Sequence, residues 1–161
     1  MRKSIVMLSV LFVTLVGFTS CGIFATKGTL VYEVIKPNSI YNSTDGKVEF
    51  LDVFKVSITY KNAKGDMVTI ADAELPWSYT AEVASPFKAE IHTKVTVREL
   101  EEYPSEFPEP HLGLTCMEIT SGDVYLREGA CVTGTGNVSW KYVDEWLRAY
   151  GDTKYTLLFD I

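Results

Sequence analysis

The sequence predicts an all-β fold, a two-sheet β-sandwich with a short C-terminal helix and a final strand. Apolar and polar residues alternate with a period of two through Val53–Tyr60 and Phe87–Val97, the mark of a half-buried strand. Turn-forming Gly, Asn, Asp and Pro residues punctuate the chain between short runs rich in β-branched and aromatic residues. A single segment, Asp144–Tyr150, has a helical pattern. About seven to nine short strands of this kind are best buried as two stacked sheets.

Thr29–Lys36 (TLVYEVIK) is the first strand by composition. In Val53–Tyr60, Phe54, Val56, Ile58 and Tyr60 share one face, and Lys55, Ser57 and Thr59 share the other. Asn62–Asp66 is a turn, with Gly65 free to adopt positive φ, and Met67–Ile70 pairs back as a hairpin. Trp77–Val83 is a further strand, with Trp77 entering the core after Pro76. In Phe87–Val97, Phe87, Ala89, Ile91, Val95 and Val97 face one way and Lys88, Glu90, His92 and Lys94 the other. The prolines of Tyr103–Pro110 forbid a central strand and predict an exposed loop. Leu114–Thr120 and Val124–Leu126 form a second hairpin around Ser121–Asp123, and Asn137–Tyr142 is a further strand. Asp144 is the expected N-cap of the helix and Gly151 its C′ residue. Tyr155–Ile161 closes the chain as a strand.

Before these elements comes a different kind of segment. Arg2 and Lys3 precede the apolar run Ser4–Val16, and Thr19 and Ser20 lead into Cys21. This is the layout of a secretory signal. Phe18-Thr19-Ser20-Cys21-Gly22 resembles the looser lipoboxes of Bacteroidetes-type bacterial lipoproteins, in which cleavage precedes a cysteine that is then acylated. The resemblance implies a signal peptide over 1–20, lipidation at Cys21 and a palmitate-type membrane anchor. An uncleaved transmembrane anchor is the alternative, although the apolar stretch is slightly short for a span of about 20 residues. Simple secretion is a third. The positive residues lie only on the N-terminal side, which places the body outside the cytoplasm in each case. Residues 21–28 are then a linker and 29–161 one sandwich domain. Within it, 137–161 either pairs with a sandwich edge or forms a small appendage.

Removing Arg2 and Lys3, with no acid in the segment, takes the formal charge from −6 to −8. An acidic body lacks the basic footprint that nucleic acid requires, and it argues against docking on anionic lipid heads. Of the three cysteines, Cys21 is taken by the anchor. Cys116 and Cys131 are then an even pair in a non-cytosolic compartment, either disulfide-bonded or two buried thiols.

Val31-Tyr32-Glu33-Val34, Ile58-Thr59-Tyr60, the Asn62–Asp66 turn, Leu75-Pro76-Trp77-Ser78 and Gly113-Leu114-Thr115-Cys116 occur in that order. Together they resemble the MmpS family of mycobacterial membrane proteins and its lipoprotein relatives, over residues 29 to 133. The resemblance implies an Ig-like β-sandwich outside the cytoplasmic membrane and an accessory role beside an RND-type exporter. The chain departs from the pattern in its proline-rich loop, in one extra residue between Gly113 and Ile119 that suggests a bulge, and in its Trp- and Tyr-rich tail.

No residues read as catalytic, and no cofactor or metal is expected. His92 falls on a polar strand face and His111 in a loop, without a second ligand at metal spacing. Glu99, Glu101, Glu102, Glu106 and Glu109 lack calcium-loop spacing. Gly134-Thr135-Gly136 is followed by no helix or Lys, and no G-x-S-x-G occurs. Trp140, Tyr142, Trp146 and Tyr150 either pin the tail to the sandwich or form an aromatic patch for a protein or glycan. The expected function is a non-catalytic binding or assembly module of the cell envelope. It is held at the bilayer through acylated Cys21 and faces the periplasm, with a protein partner there. The alternative is a surface-exposed lipoprotein that binds glycan or a host protein. The short segment after Cys21 lacks an acidic run, which favours the periplasmic reading.

Overall fold

The computed structural model describes residues 25–37, 40–43, 46–103, 106–108, 115–129 and 137–161. Eight strands build two four-stranded antiparallel sheets that pack face to face. The first sheet has the order β10-β9-β1-β6, from Val124–Gly129, Thr115–Ser121, Lys27–Val34 and Trp77–Ala84. The second has the order β12-β7-β4-β5, from Asp152–Phe159, Phe87–Val97, Phe54–Lys61 and Met67–Ile70. Two short pairs flank them: β2 (Ile40–Ser43) with β3 (Gly46–Glu49), and β8 (Glu106–Pro108) with β11 (Asn137–Ser139).

The connectivity is Ig-like. β1 pairs with β6, β4 with β7 and β5, and β7 with β12, the pairings of strands B–E, C–F, C–C′ and F–G in an immunoglobulin sandwich. The place of strand A beside β1 is taken by β9, which arrives from much later in the chain.

Alternation sets the core. Leu30, Tyr32 and Val34 of β1, with Met117 and Ile119 beside them on β9, pack against Phe54, Val56 and Ile58 of β4 and Ala89, Ile91 and Val95 of β7. Phe159 of β12 closes one end, fully buried. Tyr32 crosses between the sheets: its hydroxyl donates to Lys61 O at 3.0 Å and accepts from Glu90 N–H at 3.1 Å. Burial of the ring raises the Tyr32 pKa well above the ordinary phenol value. A second polar link joins the sheets where Thr93 Oγ1 lies 2.9 Å from Thr115 Oγ1 and 2.6 Å from Thr153 Oγ1. Each hydroxyl there has a partner, as burial requires.

Several boundaries differ from expectation. β1 begins two residues earlier, at Lys27. Val53 ends a single helical turn, α1 (Phe50–Val53), whose entry is held by the Glu49 N–H donating to Asp52 Oδ2 at 2.8 Å. The Pro-rich segment, expected as a loop, contributes β8, a three-residue strand in a two-stranded pair, where proline is tolerated. β11 stops at Ser139, and Trp140–Tyr142 is a 3₁₀ turn rather than strand. The helix, α2, runs Val143–Tyr150 with Tyr142 as N-cap, so Asp144 sits in the first turn and meets the helix dipole instead of capping. The tail joins the sandwich edge: β12 pairs with β7 along its whole length. β9 runs in unbroken register with β1 and β10, without a bulge in Thr115–Ser121.

Candidate functional site

Three regions carry the residues singled out in the sequence. The first is an aromatic cluster beside the β1–β6 pair. Tyr32, Tyr60, Trp77 and Tyr79 meet with ring centroids 4.8–6.0 Å apart, the spacing of offset and edge-on aromatic contacts. Tyr79 Oη also accepts from Ala63 N–H at 3.1 Å, which ties the cluster to the β4–β5 turn. In that turn Gly65 has φ +92°, as a left-handed position demands. Trp77 is half-buried at the rim, not fully in the core as expected. The reason is its register opposite Val34, where β1 ends. Val34 also faces Thr115 of β9. The described residues of the segments that carry the MmpS-like resemblance therefore converge, although they are far apart in sequence; Gly113 and Leu114 lie outside the described residues.

The second region is the C-terminal tail. α2 places Val143, Trp146, Leu147 and Tyr150 on one face, and the first three pack on the core. The Trp146 and Tyr150 rings are 4.7 Å apart, and Trp140 stacks on Tyr103 at 4.1 Å. These contacts favour tail-pinning over a free aromatic patch. Tyr142 alone of the four stays largely exposed, with Lys141 Nζ 4.6 Å above its ring.

The third region is the sulfur chemistry. Cys116 is 1% exposed, on the outer face of β9, and is disulfide-bonded. Its sulfur lies 3.8 Å from Glu33 Oε2; a disulfide sulfur has no proton to donate, so this is a packing contact and not a hydrogen bond. Cys21 and Cys131 lie outside the described residues, as do His111, Glu109 and Gly134–Gly136.

His92 lies on an open sheet face with its Nε2 2.5 Å from Asp152 Oδ1, not in a cleft. Glu99, Glu101 and Glu102 are exposed. Among the described residues no group of His, Cys, Asp and Glu is arranged to hold a metal ion. Nor is any helix among them long and apolar enough to cross a membrane. Grooves lie along Glu33–Ile35 with Pro76–Ser78, along Lys94–Val97 with α2, and beside Trp146 and Tyr150. Their volumes are about 200, 270 and 250 Å³, below the 300–1,000 Å³ usual for a small-molecule pocket.

Sequence reasoning did not anticipate Arg98. Its Nε donates to Leu51 O at 2.8 Å and Phe54 O at 3.1 Å, and its two terminal nitrogens hold Asp72 at 2.8 and 2.7 Å. This hydrogen-bonded guanidinium lowers the Asp72 pKa. No family model and no curated protein matches the chain.

Proposed function

We propose that this chain is an envelope lipoprotein, anchored through acylated Cys21, whose sandwich is a non-catalytic binding or assembly module accessory to an RND-type transporter. The observation that carries the reading is the convergence of the MmpS-like segments on one cluster, Tyr32, Tyr60 and Trp77, at the β1–β6 margin. There β6 is an eight-residue edge strand, and edges of this kind accept an added strand. The second reading is a surface lipoprotein that binds glycan or host protein through the tail aromatics, and the exposed Tyr142 favours it.

In-cell crosslinking of the tagged chain followed by mass spectrometry separates the two. Recovery of an inner-membrane exporter or its periplasmic adaptor supports the accessory role. Labelling on intact cells, with only outer-membrane components recovered, discards it. Glycan-array binding lost on Trp146→Ala in a folded protein establishes the second reading.

A further inference from the structure

The register of the second sheet sorts charge onto one side of the molecule. On its outer face β4 presents Lys55 and Lys61, β7 presents Lys88, Glu90, His92 and Lys94, and β12 presents Asp152 and Lys154. Five lysines thus stand against two carboxylates on a chain whose formal charge is −6. Both carboxylates are already engaged: Glu90 by Lys88 at 3.1 Å and Lys154 at 3.6 Å, and Asp152 by His92. The same lysines lower the Glu90 pKa. At the margin, Asp72 is held by Arg98, the β4–β5 turn adds Lys64 and Asp66, and α2 adds two acids, Asp144 and Glu145, and one base, Arg148. The outer face of the other sheet has the opposite balance, Glu33, Glu82 and Glu118 against Lys27 and Arg127.

The face also has a direction. β1 starts at Lys27, beside Ala84, and Ser85 N–H donates to Thr26 O at 2.8 Å. The end of the sandwich where the chain enters is therefore the end where β7 starts and β12 finishes. At that end of the lysine face two aliphatic side chains stand out to solvent, Leu158 opposite Lys88 and Met67 opposite Lys61, 60% and 53% exposed. The six residue-to-residue steps from Cys21 to Lys27 reach about 20 Å when extended. That spans the ~10 Å between stacked sheets, so an anchor on the first strand permits the second sheet to lie down.

We infer that the outer face of the β12-β7-β4-β5 sheet docks on the anionic phospholipid headgroups of the bilayer that holds the chain. Lys61, Lys88 and Lys154 are the contacts nearest the anchor, and Leu158 and Met67 dip between the headgroups. The inference rests on the anchored reading above. A lipobox cysteine typically carries more than one acyl chain and already holds the chain at the bilayer, so the basic face acts to orient the sandwich there rather than to retain it. The net acidity of the chain, which argues against such docking when the charge is taken as a whole, does not decide it once the charge is sorted by face, because surface attraction decays within about a Debye length of 8–10 Å and only the facing residues are felt.

The test uses the full-length chain, purified with its own N-terminal anchor and reconstituted in nanodiscs of phosphatidylcholine with or without phosphatidylglycerol. Acetylation rates of individual lysines are read by mass spectrometry. Phosphatidylglycerol is expected to slow Lys61, Lys88 and Lys154 by about five-fold, to leave Lys141 unchanged, and to lose its effect at high salt. The double variant Lys88→Glu/Lys154→Glu should abolish the protection of Lys61. Equal rates on the two lipids, protection that persists on pure phosphatidylcholine, or protection only by a soluble anionic polysaccharide would each overturn the docking. The anchor is judged separately, by the mass of the Cys21 peptide. An unacylated but membrane-held chain leaves the footprint valid, and a chain that leaves the nanodisc refutes both readings.

Discussion

Tyr32 shows how one residue couples the two sheets to pH. Its ring is fully buried, and its hydroxyl bridges Lys61 O and Glu90 N–H. The phenol pKa is raised in the folded state by burial, from an ordinary value of 10.0. The unfolded chain therefore loses this proton first as pH rises. The stabilisation is complete below pH 10 and falls above it, by about 1.4 kcal/mol per pH unit for the single proton. Tyr32→Phe strands a carbonyl and an N–H, so it should cost about 1–3 kcal/mol at pH 7. It should also flatten the loss of stability above pH 10 relative to the parent. Urea titrations at pH 7 to 11 measure both, and parallel pH slopes for the two proteins would refute the assignment. Arg98 makes a complementary case at acid pH. Its hydrogen bonds hold the Asp72 pKa below 3.8, so the Asp72 contribution is present above the unfolded pKa and fades as pH falls through the folded one. Arg98→Lys cannot serve Leu51 O, Phe54 O and both Asp72 oxygens together. It should lower the urea midpoint at pH 7 by more than Asp72→Asn does; an equal or smaller effect would locate its role elsewhere.

Long alternating strands were legible because their period of two is enforced by a buried face: β7 runs Phe87–Val97 as expected. Short elements were not. α1 is one turn of Phe-Leu-Asp-Val, too brief for any periodicity to register, and β2 and β3 are four residues each. Trp140-Lys141-Tyr142 alternates like a strand, yet it turns as 3₁₀ because Val143 N–H donates back to Trp140 O and leads into α2. Gly151 illustrates a right residue with a different cause. It ends α2 at φ −78°, not in the left-handed region, so conformational freedom does not explain it. A Cβ there would sit 2.6 Å from Leu147 O, while the Gly151 carbonyl accepts from Val95 N–H at 2.6 Å. Gly151→Ala should force the helix end away from β7 and cost about 1–3 kcal/mol. Amide exchange would show Val95 losing protection. Unchanged exchange at Val95 would mean that the helix end yields without moving β12.

On the scale of the whole molecule, strand faces were readable but their union was not. Each strand's lysines were visible in its own alternation, while only the register of β4, β7 and β12 puts them on one surface. The Ig-like pairing has the same character, because β9 fills a place that local sequence assigns to no strand. A fold so dependent on distant pairings gains from a covalent constraint on the unfolded chain. Cys116, buried and disulfide-bonded on β9, supplies one. If the chain reserves Cys21 for acylation, the partner is Cys131, and the closed loop of about 15 residues is worth about 3 kcal/mol. Cys116→Ser and Cys131→Ser should then be destabilised equally, the double variant no further, and all three should be insensitive to reductant while the parent shifts down to meet them. Non-reducing peptide mapping should recover the two cysteines joined and Cys21 in a separate, heavier peptide. Destabilisation by Cys116→Ser together with a neutral Cys131→Ser would instead join Cys116 to Cys21. That outcome would remove the lipid from Cys21 and with it the anchored reading of the molecule.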